Sequence, residues 1–220
     1  QLPQTPAFVE EAFGVHLEAA DVHGLPLNRD RHGKHFWGGW GSFFTVCLES
    51  ASLIQDAGIV GREVGMIEAC FSVPEQIEGV KSVHPLLQVP VGMLPAQRMD
   101  LYDRKARNQT RRAREAPLTT TVATGSIPAA WYELYRATRE RLHSQSREWS
   151  YFELLAKHFG PSLHTVLATD ANEIVGSTVY IQEGTYLHLL ENVSRPSHWP
   201  MRVNNLVYDE MIRSALQSGV

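Results

Sequence analysis

Between residues 163 and 193, three runs of β-branched and aliphatic residues follow one another with almost nothing between them. The connectors, Asp170-Ala171-Asn172 and Glu183-Gly184, are short and built from turn-forming residues. Parallel neighbours need a crossover of about a dozen residues or more, so the runs 163–169, 173–182 and 185–193 read as an antiparallel meander. Residues 118–124 (LTTTVAT) read as a further strand, ended by Gly125-Ser126. Two helices fit between it and the meander. Pro128 opens the first, whose apolar stripe is Trp131, Leu134, Tyr135, Thr138 and Leu142. The second starts at Ser150 with Glu153 completing a capping box, buries Phe152, Leu155, Ala156 and Phe159, and stops at Gly160-Pro161. A last helix at about 203–218 turns Leu206, Val207, Met211, Ala215 and Leu216 inward. The predicted order is β-α-α-β-β-β-α. The fold class is therefore α/β (α+β), with a mostly antiparallel mixed sheet flanked by helices.

The N-terminal half carries weaker punctuation. Gly38-Gly39-Trp40-Gly41 precedes a helical stretch at about 43–56, a strand at 64–71, a short helix at about 74–79 and a strand at 86–91. A polar helix at about 96–115 joins the halves, and the domain boundary is placed near Pro117. Residues 1–117 then read as the back of one domain plus a connecting helix, and 118–220 as the front of a second.

Composition narrows the function classes. With 220 residues, 43% of them hydrophobic and 20% charged, the chain can bury an ordinary core. A net charge of −4 excludes a protein that coats nucleic acid along its whole length. No apolar run approaches the ~20 residues of a membrane span. The opening QLPQTPAFVEE has neither the charged start nor the apolar stretch of a secretory signal. Cys47 and Cys70 sit in apolar segments, as buried reduced thiols do, and a cytoplasmic location is expected. His32-Gly33-Lys34-His35 lacks further ligands at metal spacing, so no metal is expected. Ser42, Ser177 and the cysteines show no nucleophile motif. Phe36, Trp37 and Trp40 suit either core packing or stacking on a ligand.

One segment departs from the acidic average. DLYDRKARNQTRRARE holds Arg104, Lys105, Arg107, Arg111, Arg112 and Arg114. Arg104, Arg107, Arg111 and Arg114 recur at spacings of three and four and form one helical stripe. Such a stripe suits phosphates of tRNA or of a nucleotide sugar, or is a solvated charged face.

The run Arg107-Asn108-Gln109-Thr110-Arg111-Arg112-Ala113 resembles the interdomain junction of FemAB-like proteins in the GNAT superfamily. WYELYRATRERL and YFELLAKHFG resemble the opening helices of that family's second domain. IVGSTVYIQEGTYLHLLENVS resembles its meander, and NNLVYDEMIRSALQSG the helix after it. The likeness extends to BioF2-like acetyltransferase domains. It is good from about residue 86 onward and loose before. It implies tandem GNAT-like domains, both truncated here, and transfer of an acyl or aminoacyl group to an amine of a cell-envelope precursor or small molecule. Acyl-CoA or aminoacyl-tRNA would be the donor substrate, with no tightly bound cofactor. Family members using CoA usually carry a glycine-bearing pyrophosphate loop before the last helix. The stretch SRPSHWPMRVNN contains no glycine, which turns the expectation toward an aminoacyl-tRNA donor or an altered carrier site.

Simple alternation along 185–193 puts Leu187, Leu189, Glu191 and Val193 on one strand face, with Tyr186, His188, Leu190 and Asn192 on the other. Among aliphatics Glu191 would be desolvated and basic enough to deprotonate an amine; at a frayed strand end it would point into water. His188 and Asn192 would line a substrate groove or cover a solvated sheet. Arg202, Asn204 and Asn205 stand at a helix N-terminus, where they bind the donor's phosphate or act as caps. The competing reading is a non-catalytic GNAT-like module that binds RNA or phosphorylated glycan through the basic helix.

Overall fold

A computed structural model describes residues 5–13, 17–22, 25–30, 35–37, 46–47, 68–69, 71–72, 92–183 and 186–218. The chain divides into two compact units, Gln1–Gln88 and Val89–Val220. In the first, helix α1 (Thr5–Phe13) precedes strands β1 (Leu17–Val22), β2 (Leu25–Asp30) and β3 (His35–Trp37). β4 (Val46–Cys47), β5 (Glu68–Ala69) and β6 (Phe71–Ser72) follow. One sheet has the order β1-β2-β3-β5, and β4 pairs in parallel with β6. Val46 and Cys47 thus form a strand inside the stretch expected to be helical; the sequence there, FFTVC, is aromatic and β-branched and favours an extended chain. The short helix expected at 74–79 and the strand expected at 86–91 lie outside the described residues, as do Trp40, Ser42 and Cys70.

The second unit contains the expected β-α-α-β-β-β-α order. A 3-10 turn (Pro95–Leu101) leads to α2 (Arg104–Glu115), then β7 (Thr119–Thr124), α3 (Trp131–Arg141) and α4 (Trp149–Phe159). β8 (Leu163–Asp170), β9 (Glu173–Glu183), β10 (Tyr186–Ser194) and α5 (Val203–Gln217) complete it. The sheet is antiparallel throughout, in the order β10-β9-β8-β7. On one face α3 and α4 bury Trp131, Leu134, Tyr135, Phe152, Leu155 and Phe159. Trp131 stacks on Tyr135 at 5.1 Å and meets Phe152 edge-on at 4.9 Å. On the other face α2 and α5 bring Ala113, Val203, Leu206 and Val207 onto Val166, Ala168, Val175 and Tyr180.

Three local expectations are altered. The polar helix at 96–115 is interrupted: Asp103 caps α2 by accepting from the Ala106 N–H at 2.6 Å, which ends the preceding 3-10 turn. α4 begins at Trp149, one residue before the expected cap, and its cap position makes no side-chain hydrogen bond, so no capping box forms at Ser150. Leu142 falls beyond the end of α3 and is 56% exposed.

The basic helix belongs with the second unit because charge ties it there. Asp209 of α5 is 1% exposed. Its Oδ1 accepts from Arg98 Nε at 2.8 Å and from the Tyr102 hydroxyl at 2.9 Å; its Oδ2 accepts from Arg98 Nη2 at 3.0 Å and Arg114 Nε at 2.5 Å. The neighbouring Glu210 accepts from Arg114 Nη2 at 3.2 Å and from Arg213 Nε at 2.9 Å. Two carboxylates of α5 therefore fasten residues 95–115 through two guanidiniums and a phenol, while Arg213 of α5 itself braces Glu210.

The close approach of β9 and α5 explains Gly176. A Cβ there would overlap Cγ2 of Val203, which is fully buried. Gly176→Ala is expected to push α5 off the sheet at a cost of about 1–3 kcal/mol. A lowered urea midpoint with unchanged slope checks it.

Candidate active site and anion cleft

β10 is the edge strand of its sheet, and among the described residues nothing pairs with its outer side. Its pairing with β9 shifts register between Leu189 and Glu191, so Leu190 is an extra, bulged residue. The bulge overturns the simple alternation. Before it His188 lies opposite Ile181, and after it Glu191 lies opposite Val179 and Val193 opposite Ser177. Ile181, Val179 and Ser177 share one face of β9, so His188, Glu191 and Val193 now share a face. Leu187, Leu189 and Asn192 take the other. The two residues expected on opposite sides of the strand are thereby brought together, toward α3 and α4.

Glu191 is neither frayed nor surrounded by aliphatics alone. Arg139 of α3 donates through Nη2 to both carboxylate oxygens, at 2.5 and 2.6 Å, and its guanidinium lies over the Tyr135 ring at 5.2 Å. The Glu191 side chain is 15% exposed. Burial pushes its carboxyl above the usual carboxylate range; hydrogen bonding and charge from Arg139, with the charge of Arg147, oppose this without cancelling it. The same group is thus desolvated, held in one orientation and still reachable. Asn192 lies on the opposite face and donates to the Ser177 carbonyl at 3.3 Å.

After β10 the chain makes a 3-10 turn (Pro196–Met201) and enters α5 through Arg202, whose backbone is left-handed at φ 60°. No side chain caps α5, so the N–H groups of its first turn lack the partner an Asn or Ser cap supplies. Asn204 and Asn205 sit half-buried in that turn, and Asn204 Oδ1 is buried without a hydrogen-bond partner among the described residues.

The arginine stripe of α2 is divided. Arg107 donates to the Met99 carbonyl at 3.0 Å and the Tyr102 carbonyl at 2.9 Å. Arg114 is held by Asp209 and Glu210. Arg111 is exposed. Arg104 instead joins Lys105, Asn108, Gln109 and Arg112, spaced along α2, and Arg202, in lining a cleft of about 420 Å³. The spacing 104, 105, 108, 109, 112 marks one helical face, a pattern present in the sequence beside the stripe that Arg104, Arg107, Arg111 and Arg114 suggested. Arg139 had no such local signal, since it lies 52 residues from the carboxylate it holds. Among the described residues no cluster suits a metal ion, and no helix is long and apolar enough to cross a membrane.

A β-α-α-β-β-β-α unit with a bulged edge strand leading into an uncapped helix is the frame of a GNAT-type acyltransferase. A family model described as an acetyltransferase (GNAT) domain matches residues 102–220, more than half of the sequence, and the chain belongs to that family. Among solved structures, one titled "Crystal structure of FemX" aligns with 100% of this chain and 81% of its own, at a TM-score of 0.65 and 10% identity. It shares the fold. A C-terminal DUF2156 domain of a putative lysylphosphatidylglycerol synthetase from Agrobacterium fabrum aligns with 97% of this chain and 71% of its own, at a TM-score of 0.46 and 11% identity. No curated protein matches the sequence.

Proposed function

We propose that this chain is an N-acyltransferase that moves an acyl or aminoacyl group onto an amine by direct attack. The observation that carries the reading is the Leu190 bulge, which sets Glu191 and His188 on one face of an open edge strand. The donor lies along the outer edge of β10, where strand N–H groups meet the oxyanion as the carbonyl becomes tetrahedral. Its phosphate-bearing end reaches the first turn of α5, near Arg202, Asn204 and Asn205, with Asn192 on the strand below. The amine enters from the side of α3, loses its proton to Glu191 and attacks the carbonyl carbon; the donor's thiol or ribose oxygen leaves and takes up a proton. His188 lies beside the entering amine. The acceptor is an amine on a cell-envelope precursor or a small molecule, as the FemAB-like resemblance implies.

The cationic cleft supports a second reading, a non-catalytic module that binds RNA or phosphorylated glycan. The two separate in one experiment. Purified protein is given acetyl-CoA or a charged tRNA together with a panel of primary amines, and donor loss is followed. The acyltransferase reading expects amine-dependent consumption of one donor. Binding of RNA or glycan phosphate with no turnover of either donor would leave the second reading standing.

A further inference from the structure

Tyr135 of α3 is fully buried, so no substrate touches it. Its ring belongs to the aromatic core, stacked on Trp131 at 5.1 Å and met edge-on by Phe152 at 4.9 Å. Packing of that kind asks for a ring and not for a hydroxyl. The hydroxyl is nevertheless engaged, accepting from the Arg147 N–H at 3.0 Å. One turn back, the Tyr132 hydroxyl donates to the Arg147 carbonyl at 2.9 Å. Two tyrosines of α3 thus grip both sides of one residue in the loop between α3 and α4. The Arg147 guanidinium in turn lies over the Tyr151 ring at 4.6 Å. The Tyr135 ring also carries the Arg139 guanidinium, at 5.2 Å, which donates to both Glu191 oxygens. Burial raises the Glu191 carboxyl, and Arg139 and Arg147 are the two cations that oppose it. One buried side chain touches the supports of both.

We infer that Tyr135 is a positioning residue for the proton acceptor: its ring face seats Arg139, and its hydroxyl seats Arg147 beside Glu191. Tyr132, Tyr135 and Arg139 recur at spacings of three and four, so one face of α3 supplies the whole device. Arg147 is exposed, and an exposed loop cation ordinarily loses most of its influence to motion and screening. A main chain gripped from both sides, with a ring beneath the side chain, restrains that motion. The other groups facing Glu191 are His188 on the same face of β10, Tyr151 of α4 and the apolar Val179 of β9. With both guanidiniums seated the carboxylate form is favoured, and loosening either one favours the protonated form. The seating stands on these contacts alone; only its consequence for rate rests on the acyl-transfer reading.

Tyr135→Phe tests it, because phenylalanine keeps the ring and removes the hydroxyl. The Glu191 carboxyl is followed by NMR through a pH titration of the whole chain, with neither donor nor acceptor present. Its midpoint is expected to move upward in Tyr135→Phe and in Arg147→Gln. Arg136→Ala removes an exposed charge elsewhere on α3 and should leave the midpoint in place. In steady-state assays at neutral pH, Tyr135→Phe lowers kcat/KM about threefold to tenfold, the worth of one hydrogen bond. In a Glu191→Gln background the same substitution costs nothing more, since its effect passes through the carboxylate. An unmoved midpoint in Tyr135→Phe overturns the inference, as does an equal shift in Arg136→Ala. So does the same loss of rate in the Glu191→Gln background, which would make Tyr135 a brace of α3 against α4 and no more. Thermal melts show whether the core persists. Should Tyr135→Phe fail to fold, Arg147→Gln, which leaves the core intact, decides, and an unmoved midpoint there overturns the inference equally. Shifted midpoints in a protein that turns over no donor keep the seating and sink the acyl-transfer reading. Turnover with a midpoint indifferent to Tyr135→Phe does the reverse.

Discussion

Asp209→Ala is expected to remove about 3–5 kcal/mol from the stability of the second unit, the loss typical of breaking a buried ion pair from one side. The carboxylate is 1% exposed, while Arg98 and Arg114 keep 11% and 34% of their side-chain surface, so alanine strands two guanidiniums that water only partly reaches. The Tyr102 hydroxyl loses its acceptor as well. Against a typical total of about 5–15 kcal/mol, this is a large fraction. Urea unfolding gives the number directly, and a loss under about 1 kcal/mol would mean that the hub is solvated. The pH dependence supplies a second check. Burial alone would raise the Asp209 carboxyl, but the hydrogen bonds and charges of Arg98 and Arg114 outweigh it and leave the group below its ordinary value of 3.8. Glu210 is depressed too, with Arg213 and Arg114 overcoming burial. A depressed carboxyl contributes stability that is complete above its unfolded value and lost as pH falls through its folded one. The gap between wild type and Asp209→Ala should therefore be full at neutral pH, begin to shrink as pH approaches 3.8, and close below the depressed folded value.

Most of the second unit was written in local patterns. The β-branched run at 119–124, the two short turns of the meander and the stripe Trp131, Leu134, Tyr135, Thr138 each follow from residues within one element. What escaped depends on partners outside the element that carries the residue. The Leu190 bulge carries no diagnostic residue: the doublet Leu189-Leu190 breaks the apolar-polar alternation of LHLLENV, but only pairing with β9 shows which residue is extra. Arg107 and Arg114 looked like free phosphate ligands because the atoms that occupy them, the Met99 and Tyr102 carbonyls and the Asp209 and Glu210 carboxylates, lie on other segments. One signal was available locally. Val203, Leu206, Val207 and Glu210 fall at i, i+3, i+4 and i+7, so a carboxylate sits on the apolar stripe of α5 and requires a cationic partner.

Glu191→Gln is expected to lower the rate of acyl transfer between about 100-fold and 10,000-fold, the range general-base catalysis supplies. Glutamine keeps the size of the side chain and an oxygen for Arg139, so folding should persist and the loss should fall on kcat. A melting temperature near that of wild type checks the first point, and steady-state rates check the second. The pH profile then distinguishes a proton acceptor from a structural anchor. Burial holds the Glu191 carboxyl above the usual range, so kcat/KM should rise with pH on a limb displaced upward from an ordinary glutamate. Arg139 opposes that displacement through its hydrogen bonds and charge. Removing it in Arg139→Met takes away stabilisation of the carboxylate and should move the limb to still higher pH. A residue that merely braced β10 against α3 would lose activity on substitution without moving the limb. Full activity in Glu191→Gln, or a limb that ignores Arg139, would assign the proton to another group, with His188 on the same strand face as the next candidate.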